Sequence, residues 1–170
     1  MLNFKQRLTK ISTLMFDVDG VMTDGKVLVM DNGDMVRNMN SKDGYAINLA
    51  VKKGYRLVVI SGGNNEAVKN ALERNGLTDV FIKQHDKLAC YLDYLKLHNL
   101  KDEEVLFMGD DLPDHEVMSR VGCAVCPADA AVEIKEICQY ISPHKGGEAC
   151  VRDVIEQVLR VQGNWEITKW

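Results

Sequence analysis

The sequence has 170 residues, of which 46% are hydrophobic and 27% are charged, and its formal net charge at pH 7 is -4. This composition is typical of a globular chain with its own hydrophobic core, and the acidic balance argues against binding to nucleic acid or to an anionic membrane surface. No segment approaches the roughly 20 apolar residues of a membrane span, and residues 1–16 lack the apolar region of a signal peptide.

Short apolar segments alternate with amphipathic segments along the chain. The apolar segments predict strands at 12–16, 56–61, 80–84, 104–109, 123–127 and 140–142. The amphipathic segments predict helices at 43–53, 64–76, 87–99, 115–122, 130–138 and 149–163. This alternation predicts an α/β fold in one domain over residues 1–170, with a doubly wound, Rossmann-like parallel sheet covered by helices on both faces.

One segment departs from the alternation. Residues 26–30 and 34–40 flank Asp31-Asn32-Gly33, a turn signal that predicts a β-hairpin over residues 24–40. Its apolar side chains are Val27, Leu28, Val29, Met30, Met35, Val36 and Met39. They either pack on their own domain or form an association surface, and an exposed ribbon this apolar favours association.

Polar side chains follow four of the predicted strands at their carboxyl ends, where parallel sheets bind ligands. In chain order these positions hold Asp17 and Asp19, then Ser61 followed by the glycines Gly62 and Gly63, then Lys87, and last Asp110, Asp111 and Asp114. Clustered carboxylates favour Mg²⁺, a hard cation with oxygen ligands. One carboxylate can attack phosphorus, a second two residues away can exchange protons, and hydroxyl and ammonium groups can hold the phosphate oxygens. We therefore expect a magnesium-dependent phosphoryl-transfer site.

A calcium loop, a receiver domain and a zinc site fit the sequence less well. A calcium-binding EF-hand loop has its glycine at the sixth position, whereas Gly20 is fourth from Asp17. A two-component receiver domain carries its acid pair first and its single nucleophile later, the reverse of the order here. The five cysteines, an odd number, are typical of free thiols in a reducing cytosol, and Cys123 and Cys126 fit buried structural thiols better than a zinc site.

The segments FDVDGV, SGG and GDDLPD, together with Lys87, resemble the four motifs of the haloacid dehalogenase superfamily. The resemblance implies that Asp17 is the nucleophile and Asp19 the general acid and base. It also implies that Ser61, Gly62 and Lys87 bind phosphate. Mg²⁺ would be bound by Asp17, Asp110 and the main-chain carbonyl of Asp19. Asp111 and Asp114 would support the metal shell and Lys87. The short intervals between motifs leave no room for an inserted cap domain.

A finer resemblance is carried by DVDGVMTDG, NMNSKDGYAI, GDDLPDHEVM, CAVCPADA and HKGGEACVRDVIEQVLRVQG. These segments are similar to the small capless phosphatases of 3-deoxy-D-manno-octulosonate 8-phosphate and to their relatives that act on nine-carbon, sialic-acid-type 9-phosphates. The resemblance implies a cytoplasmic enzyme of lipopolysaccharide precursor synthesis. It further implies a homotetramer built by hairpins, with a neighbouring subunit covering the site, a GG…VR segment close to the site, and a mobile tail at residues 164–170.

Two departures from that pattern concern the substrate. Gly63 and Glu148 stand where many octulosonate phosphatases carry basic residues. We expect Lys42, Lys145 and Arg152 to supply the missing charge for a sugar carboxylate, with Gly63 also in the substrate site. A nine-carbon substrate remains the alternative, as does a non-catalytic scaffold subunit, although a scaffold has no need of both Asp17 and Asp19.

Overall fold

The computed structural model describes residues 2–166 of the chain, and within them it has eight strands, seven α-helices and two short 3-10 helices at Asp102–Glu104 and Leu112–Asp114. In chain order the strands and α-helices are α1 Phe4–Leu8, β1 Thr13–Phe16, β2 Leu28–Val29, β3 Met35–Val36, α2 Ser41–Lys52, β4 Arg56–Ile60, α3 Glu66–Arg74, β5 Asp79–Phe81, α4 Lys87–His98, β6 Val105–Met108, α5 His115–Met118, β7 Cys123–Cys126, α6 Val132–Ile137, β8 Tyr140–Ile141 and α7 Cys150–Val161.

Six strands form one parallel sheet in the order β5-β4-β1-β6-β7-β8, which confirms the predicted α/β fold. Strand β1 lies at the centre, where Phe16 pairs with Val59 on one side and Met108 on the other. The chain winds outward from β1 in both directions, so the carboxyl end of β1 is the topological switch point. In open α/β sheets the ligand-binding crevice lies at such a point.

The sheet separates two hydrophobic cores because successive side chains of a strand point to opposite faces. On β1, Leu14 and Phe16 join the core covered by α1, α2, α3 and α7. Met15 joins the core covered by α4, α5 and α6. All three side chains are fully buried, so β1 is fixed on both faces and holds the residues that follow it in place.

The structure adds one helix that the apolar pattern did not predict. Helix α1 is short, and its N-terminus is closed by a capping box in which Asn3 accepts from the Gln6 N–H and the Gln6 side chain accepts from the Asn3 N–H. An Asn followed three residues later by Gln is a recognised helix-start signal. That signal was present at residues 3–6, although the following apolar run is too short to show a helical period.

The predicted hairpin is present, but its paired part is shorter than the sequence pattern. Strands β2 and β3 form a separate antiparallel ribbon in which Leu28 pairs with Val36 and Val29 with Met35. Leu28 and Val29 are 64% and 65% exposed. The apolar side chains of the hairpin therefore do not pack into the cores of their own chain.

Three further features of residues 2–166 bear on function. The intervals between the motif residues contain no inserted cap domain. No helix in this part of the chain combines the length and apolar character that crossing a bilayer requires. Cys123 and Cys126 are buried free thiols within β7, and the candidate metal-binding group among these residues contains no cysteine.

Candidate active site

A cleft of about 330 Å³ opens at the carboxyl edge of the sheet, at the end of β1. We call it the strand-end cleft, and its lining residues are Asp17, Asp19, Gly25, Ser61, Gly62, Gly63, Lys87, Asp110, Asp111, Pro113 and Asp114. The residues that the sequence placed after four separate strands thus meet at one position. The predicted convergence is found.

Lys87 lies at the centre of the charged residues in the cleft. Its Nζ atom is 2.9 Å from Asp17 Oδ2 and 2.7 Å from Asp114 Oδ1, and its side chain is only 4% exposed. The first turn of α4 carries Lys87 into this position, and Asp86 caps that helix by accepting from the Ala89 N–H. One ammonium therefore bridges two carboxylates that would otherwise repel each other in a buried environment.

Burial dominates the electrostatics of the carboxylates. It raises the pKa of Asp17 to about 7, with a further contribution from the Asp114 charge and an opposing one from Lys87. Burial also raises the pKa of Asp110 to about 7, and the neighbouring Asp17 charge adds to the effect. Burial alone would lower the pKa of Lys87, but Asp17 and Asp114 together raise it. The cleft therefore holds more negative charge than its one ammonium neutralises.

This excess of negative charge fits a divalent cation. Asp17, Asp110 and Asp114 can each offer an oxygen within 4.8 Å of the others. The Asp110 Oδ1 atom is buried and has no hydrogen-bond partner. A buried carboxylate oxygen without a partner is costly, and oxygen-rich sets of this kind are the ligands that Mg²⁺ prefers. The donor set thus fits the metal predicted from sequence.

Gly20 makes the approach of the acidic residues possible. Its φ angle is +88°, in the left-handed region that glycine favours, and an added Cβ would collide with the Asp110 carboxyl group. The loop after β1 therefore turns at Gly20 and lies directly against Asp110. The DxDG sequence supplies this turn.

The loop after β4 supplies a hydroxyl group and open backbone. Ser61 is buried, and its Oγ atom accepts a hydrogen bond of 3.2 Å from the Gly63 N–H. Gly62 and Gly63 line the cleft without side chains. Hydroxyl and backbone N–H groups at such a loop can hold the oxygens of a phosphate.

The carboxylate of Asp19 has a partner that the sequence did not reveal. Arg37, which follows β3, contacts it with Nε 2.6 Å from Oδ1 and Nη2 3.1 Å from Oδ2. Arg37 is the one charged side chain within residues 35–39, and a charge between apolar residues at the end of a strand indicates a partner elsewhere. That signal could have identified the residue, although not its partner.

The predicted GG…VR segment lies against the same loop. The Gly147 N–H donates to the Val21 carbonyl at 3.0 Å, and Asn40 Nδ2 donates to the Gly147 carbonyl at 2.9 Å. An added Cβ on Gly146 would collide with the Gly20 carbonyl. The segment therefore packs closely on the loop that carries Asp17 and Asp19.

The three cations expected to bind a sugar carboxylate do not line the strand-end cleft. Lys42 and Lys145 are exposed. Arg152 lies 3.6 Å from Glu156, and its guanidinium is 5.7 Å from the ring centroids of both Tyr45 and Trp165. Their role in substrate binding stays a prediction.

Part of the predicted mobile tail is described. Asn164 Nδ2 donates to the Tyr55 hydroxyl at 2.8 Å, and Glu166 lies 2.8 Å from Lys53 Nζ. Residues 167–170 lie outside the described part of the chain. The mobility of the tail stays a prediction.

Comparison with known proteins supplies the family. The profile of the haloacid dehalogenase-like hydrolases matches residues 64–155. The chain belongs to this family. A 3-deoxy-D-manno-octulosonate 8-phosphate phosphatase of Yersinia pestis is 33% identical over 161 residues, which cover 95% of this chain and 86% of the relative. The phosphatase of the same name from Escherichia coli K12 is 33% identical over 159 residues, or 94% and 85% of the two chains.

Solved structures agree with the family fold. The crystal structure of the Yersinia pestis phosphatase superposes with a TM-score of 0.92 at 32% identity and covers 94% of this chain and 86% of that one. The Moraxella catarrhalis phosphatase, solved with magnesium, phosphate and 3-deoxy-D-manno-octulosonate, has a TM-score of 0.91 at 25% identity, with 94% and 92% covered. The resemblance stated from the motifs is confirmed over nearly the whole chain.

Proposed function

We propose that this protein is a Mg²⁺-dependent phosphatase that hydrolyses 3-deoxy-D-manno-octulosonate 8-phosphate through an aspartyl phosphate on Asp17. The observation that carries the proposal is the convergence of Asp17, Ser61, Lys87 and Asp110 in one cleft. The substrate is supported by the relatives of that name and by the Moraxella catarrhalis complex with magnesium, phosphate and the sugar acid. This activity would belong to lipopolysaccharide precursor synthesis in the cytoplasm.

The contacts of Asp17 suit a nucleophile. Lys87 holds one of its oxygens, Oδ2, at 2.9 Å. A carboxylate fixed in this way loses little orientational freedom when its free oxygen attacks phosphorus. The P–O bond to the sugar breaks as the bond to Asp17 forms, and the leaving oxygen takes a proton from Asp19.

The second half of the reaction returns the enzyme to its starting state. Asp19 takes a proton from water as the water oxygen attacks phosphorus, and the bond to Asp17 breaks. Lys87, the Ser61 hydroxyl and the backbone N–H of Gly62 line the cleft and would hold the phosphoryl oxygens through both steps.

Asp17, Asp110 and the main-chain carbonyl of Asp19 would hold Mg²⁺, with Asp111 and Asp114 in support. When bound, the cation would neutralise the negative charge of phosphate and carboxylates. Asp114 already contacts Lys87 at 2.7 Å, and it also accepts from the Asp110 N–H at 3.2 Å. It therefore links the predicted metal ligand Asp110 to the predicted phosphate-binding Lys87.

A nine-carbon ulosonate 9-phosphate is the second candidate, because Gly63, which lines the strand-end cleft without a side chain, and Glu148 stand where many octulosonate phosphatases carry basic residues. The exposed hairpin further supports a homotetramer in which a neighbouring subunit covers the cleft. Both points are part of the proposal.

The experiment compares kcat/KM for the eight-carbon and nine-carbon phosphates, with Asp17→Asn as the inactive control. We expect Mg²⁺-dependent turnover that is lost in EDTA and at least a tenfold preference for the eight-carbon substrate, equal to about 1.4 kcal/mol. A smaller or reversed preference contradicts the substrate. Equal inactivity of wild type and Asp17→Asn towards p-nitrophenyl phosphate would instead favour a scaffold subunit.

A further inference from the structure

The carboxyl group of Asp19 is held from outside its own loop. Arg37 reaches back from the hairpin and donates through Nε to Oδ1 at 2.6 Å and through Nη2 to Oδ2 at 3.1 Å. Two parallel N–H···O bonds between these planar groups fix both the position and the plane of the carboxylate. The Arg37 side chain is 9% exposed and that of Asp19 is 34% exposed. The guanidinium is therefore largely buried, while the Asp19 carboxylate remains accessible from the cleft.

The guanidinium is itself fixed by its own strand. Nη1 of Arg37 donates to the Met35 carbonyl at 3.2 Å, and Asn65 Nδ2 donates to the same carbonyl at 3.0 Å. The base of the hairpin therefore has an attachment to α3 that does not involve Asp19. Holding the hairpin in place does not by itself require the Arg37–Asp19 contact.

The absence of a side chain at Gly63 leaves space for this pair. A Cβ added at Gly63 would lie 3.4 Å from both Asp19 Oδ2 and Ser61 Oγ, and 4.0 Å from Arg37 Nη2. A side chain at this position would therefore be in van der Waals contact with the Arg37–Asp19 pair. Gly63 and Arg37 therefore both contact the surroundings of the Asp19 carboxylate.

We propose that Arg37 is a positioning residue that aims the Asp19 carboxyl group at the leaving-group oxygen. Each carboxylate oxygen has two lone pairs, and the fork occupies one on each, so a second remains on each oxygen for the transferred proton. The inference rests on the proposed function, in which Asp19 protonates the sugar oxygen as its bond to phosphorus breaks. It adds a hairpin residue to the residues that control this step.

The leaving group provides a test that separates positioning from folding. A nitrophenolate can leave without a proton, whereas the alkoxide of a sugar must be protonated as it leaves. The value of kcat/KM reports the steps up to departure of the leaving group, so it is sensitive to this proton transfer. Three monoesters are compared: p-nitrophenyl phosphate, arabinose 5-phosphate as a sugar phosphate without a carboxylate, and the octulosonate 8-phosphate. The variants are Arg37→Gln and Arg37→Lys.

For Arg37→Gln we expect kcat/KM to fall about 100-fold with both sugar phosphates and less than about fivefold with p-nitrophenyl phosphate, because general acid catalysis contributes 10²–10⁴-fold. Arg37→Lys should remain at least about tenfold below wild type with the sugar phosphates, since an ammonium cannot hold both oxygens as a fork does. Two controls should change all three values equally and by less than about threefold. Asn65→Ser keeps a helix-capping side chain but loses the contact with Met35, and Lys26→Gln removes an exposed hairpin cation.

Three results would overturn the inference. Equal losses with all three esters would show that Arg37 only maintains the structure. A loss confined to the octulosonate phosphate would show that Arg37 binds the substrate carboxylate, and full activity of Arg37→Lys would show that the fork is not needed. If the proposed function itself is wrong, the result differs from these three. The wild type would then hydrolyse the octulosonate phosphate no faster than the other two esters, or it would hydrolyse none of them.

Discussion

The strand-end cleft and the hairpin combine side-chain chemistry and exposure in opposite ways. The cleft buries charged groups, with Lys87 and Asp114 only 4% and 1% exposed at their side chains. The hairpin exposes apolar groups, among them Leu28 at 64% and Met35 at 55%. Each arrangement is unfavourable for an isolated chain, since buried charge loses hydration and exposed apolar surface orders water. The difference teaches that the two regions pose different problems: the cleft gathers charge that a cation and an anion would neutralise, whereas the hairpin exposes apolar surface that the proposed assembly would cover.

The largest expected effect is the loss of activity caused by one substitution in the cleft that leaves the chain folded. Asp17→Asn should lower kcat by about 10⁴-fold or more, because a carboxamide cannot form the aspartyl phosphate. Its free energy of unfolding in EDTA should stay equal or rise, because burial raises the pKa of Asp17 to about 7 and the substitution removes an unfavourable charge. Steady-state kinetics and urea unfolding measure the two quantities. Asp34→Asn, the same change on the exposed hairpin, is the control and should alter neither.

The next prediction removes the cation rather than an anion. Lys87→Met should lower the free energy of unfolding by about 3 kcal/mol in EDTA, because Asp17 and Asp114 would face each other in a buried site without their shared ammonium. Urea unfolding measures the loss. Lys26→Met is the matched control, since the Lys26 side chain is 87% exposed. An equally small loss in both variants would mean that the buried ion pair contributes no more than a surface one.

The cleft was predictable from sequence to a greater extent than its surroundings. Asp17, Ser61 and Asp110 each follow a buried strand, and the parallel topology brings such strand ends together whatever the details of packing. The contact between Arg37 and Asp19 depends on how the hairpin folds back over the loop, and no local pattern encodes that path. Arg152 was assigned to the substrate from its charge and its place in the GG…VR segment. In the structure its guanidinium lies 5.7 Å from the ring centroids of Tyr45 and Trp165, which attract it by cation–π contacts, and its role in substrate binding stays a prediction.

The proposal that the exposed hairpin is an association surface is tested by measuring self-association of the protein. Leu28→Asp should weaken association by about tenfold or more per interface, since the loss of a central apolar contact costs over about 1 kcal/mol. The free energy of unfolding of the isolated chain should change by less than about 0.5 kcal/mol, because Leu28 is exposed in it. Sedimentation velocity over a dilution series measures the association. Leu97→Asp, at a helix residue that is 77% exposed outside the hairpin, should leave the mass unchanged. A monomeric wild type with full activity would contradict the covering-subunit proposal.

The smallest effect concerns a carboxylate that is buried like those of the cleft but lies outside it. Asp43 is 3% exposed, its Oδ1 accepts from the Arg152 N–H at 2.7 Å, and its Oδ2 has no hydrogen-bond partner. Burial raises the pKa of Asp43 to about 6 from an ordinary 3.8. The folded state therefore holds the proton more tightly than the unfolded state, so the stability linked to this proton is complete below pH 3.8 and is lost as the pH rises through 6.

Asp43→Asn removes this titration while keeping an oxygen that can accept from the Arg152 N–H. Between pH 5 and pH 8 the unfolding free energy of the variant, measured relative to wild type in urea, should rise by about 1 kcal/mol. Asp93→Asn on an exposed face of α4 is the control and should show no such change. A constant difference across this pH range would mean that Asp43 titrates as an exposed carboxyl group does. Burial would then be insufficient to raise a carboxyl pKa in this fold, and the raised values in the cleft would have to come from the charges that crowd there.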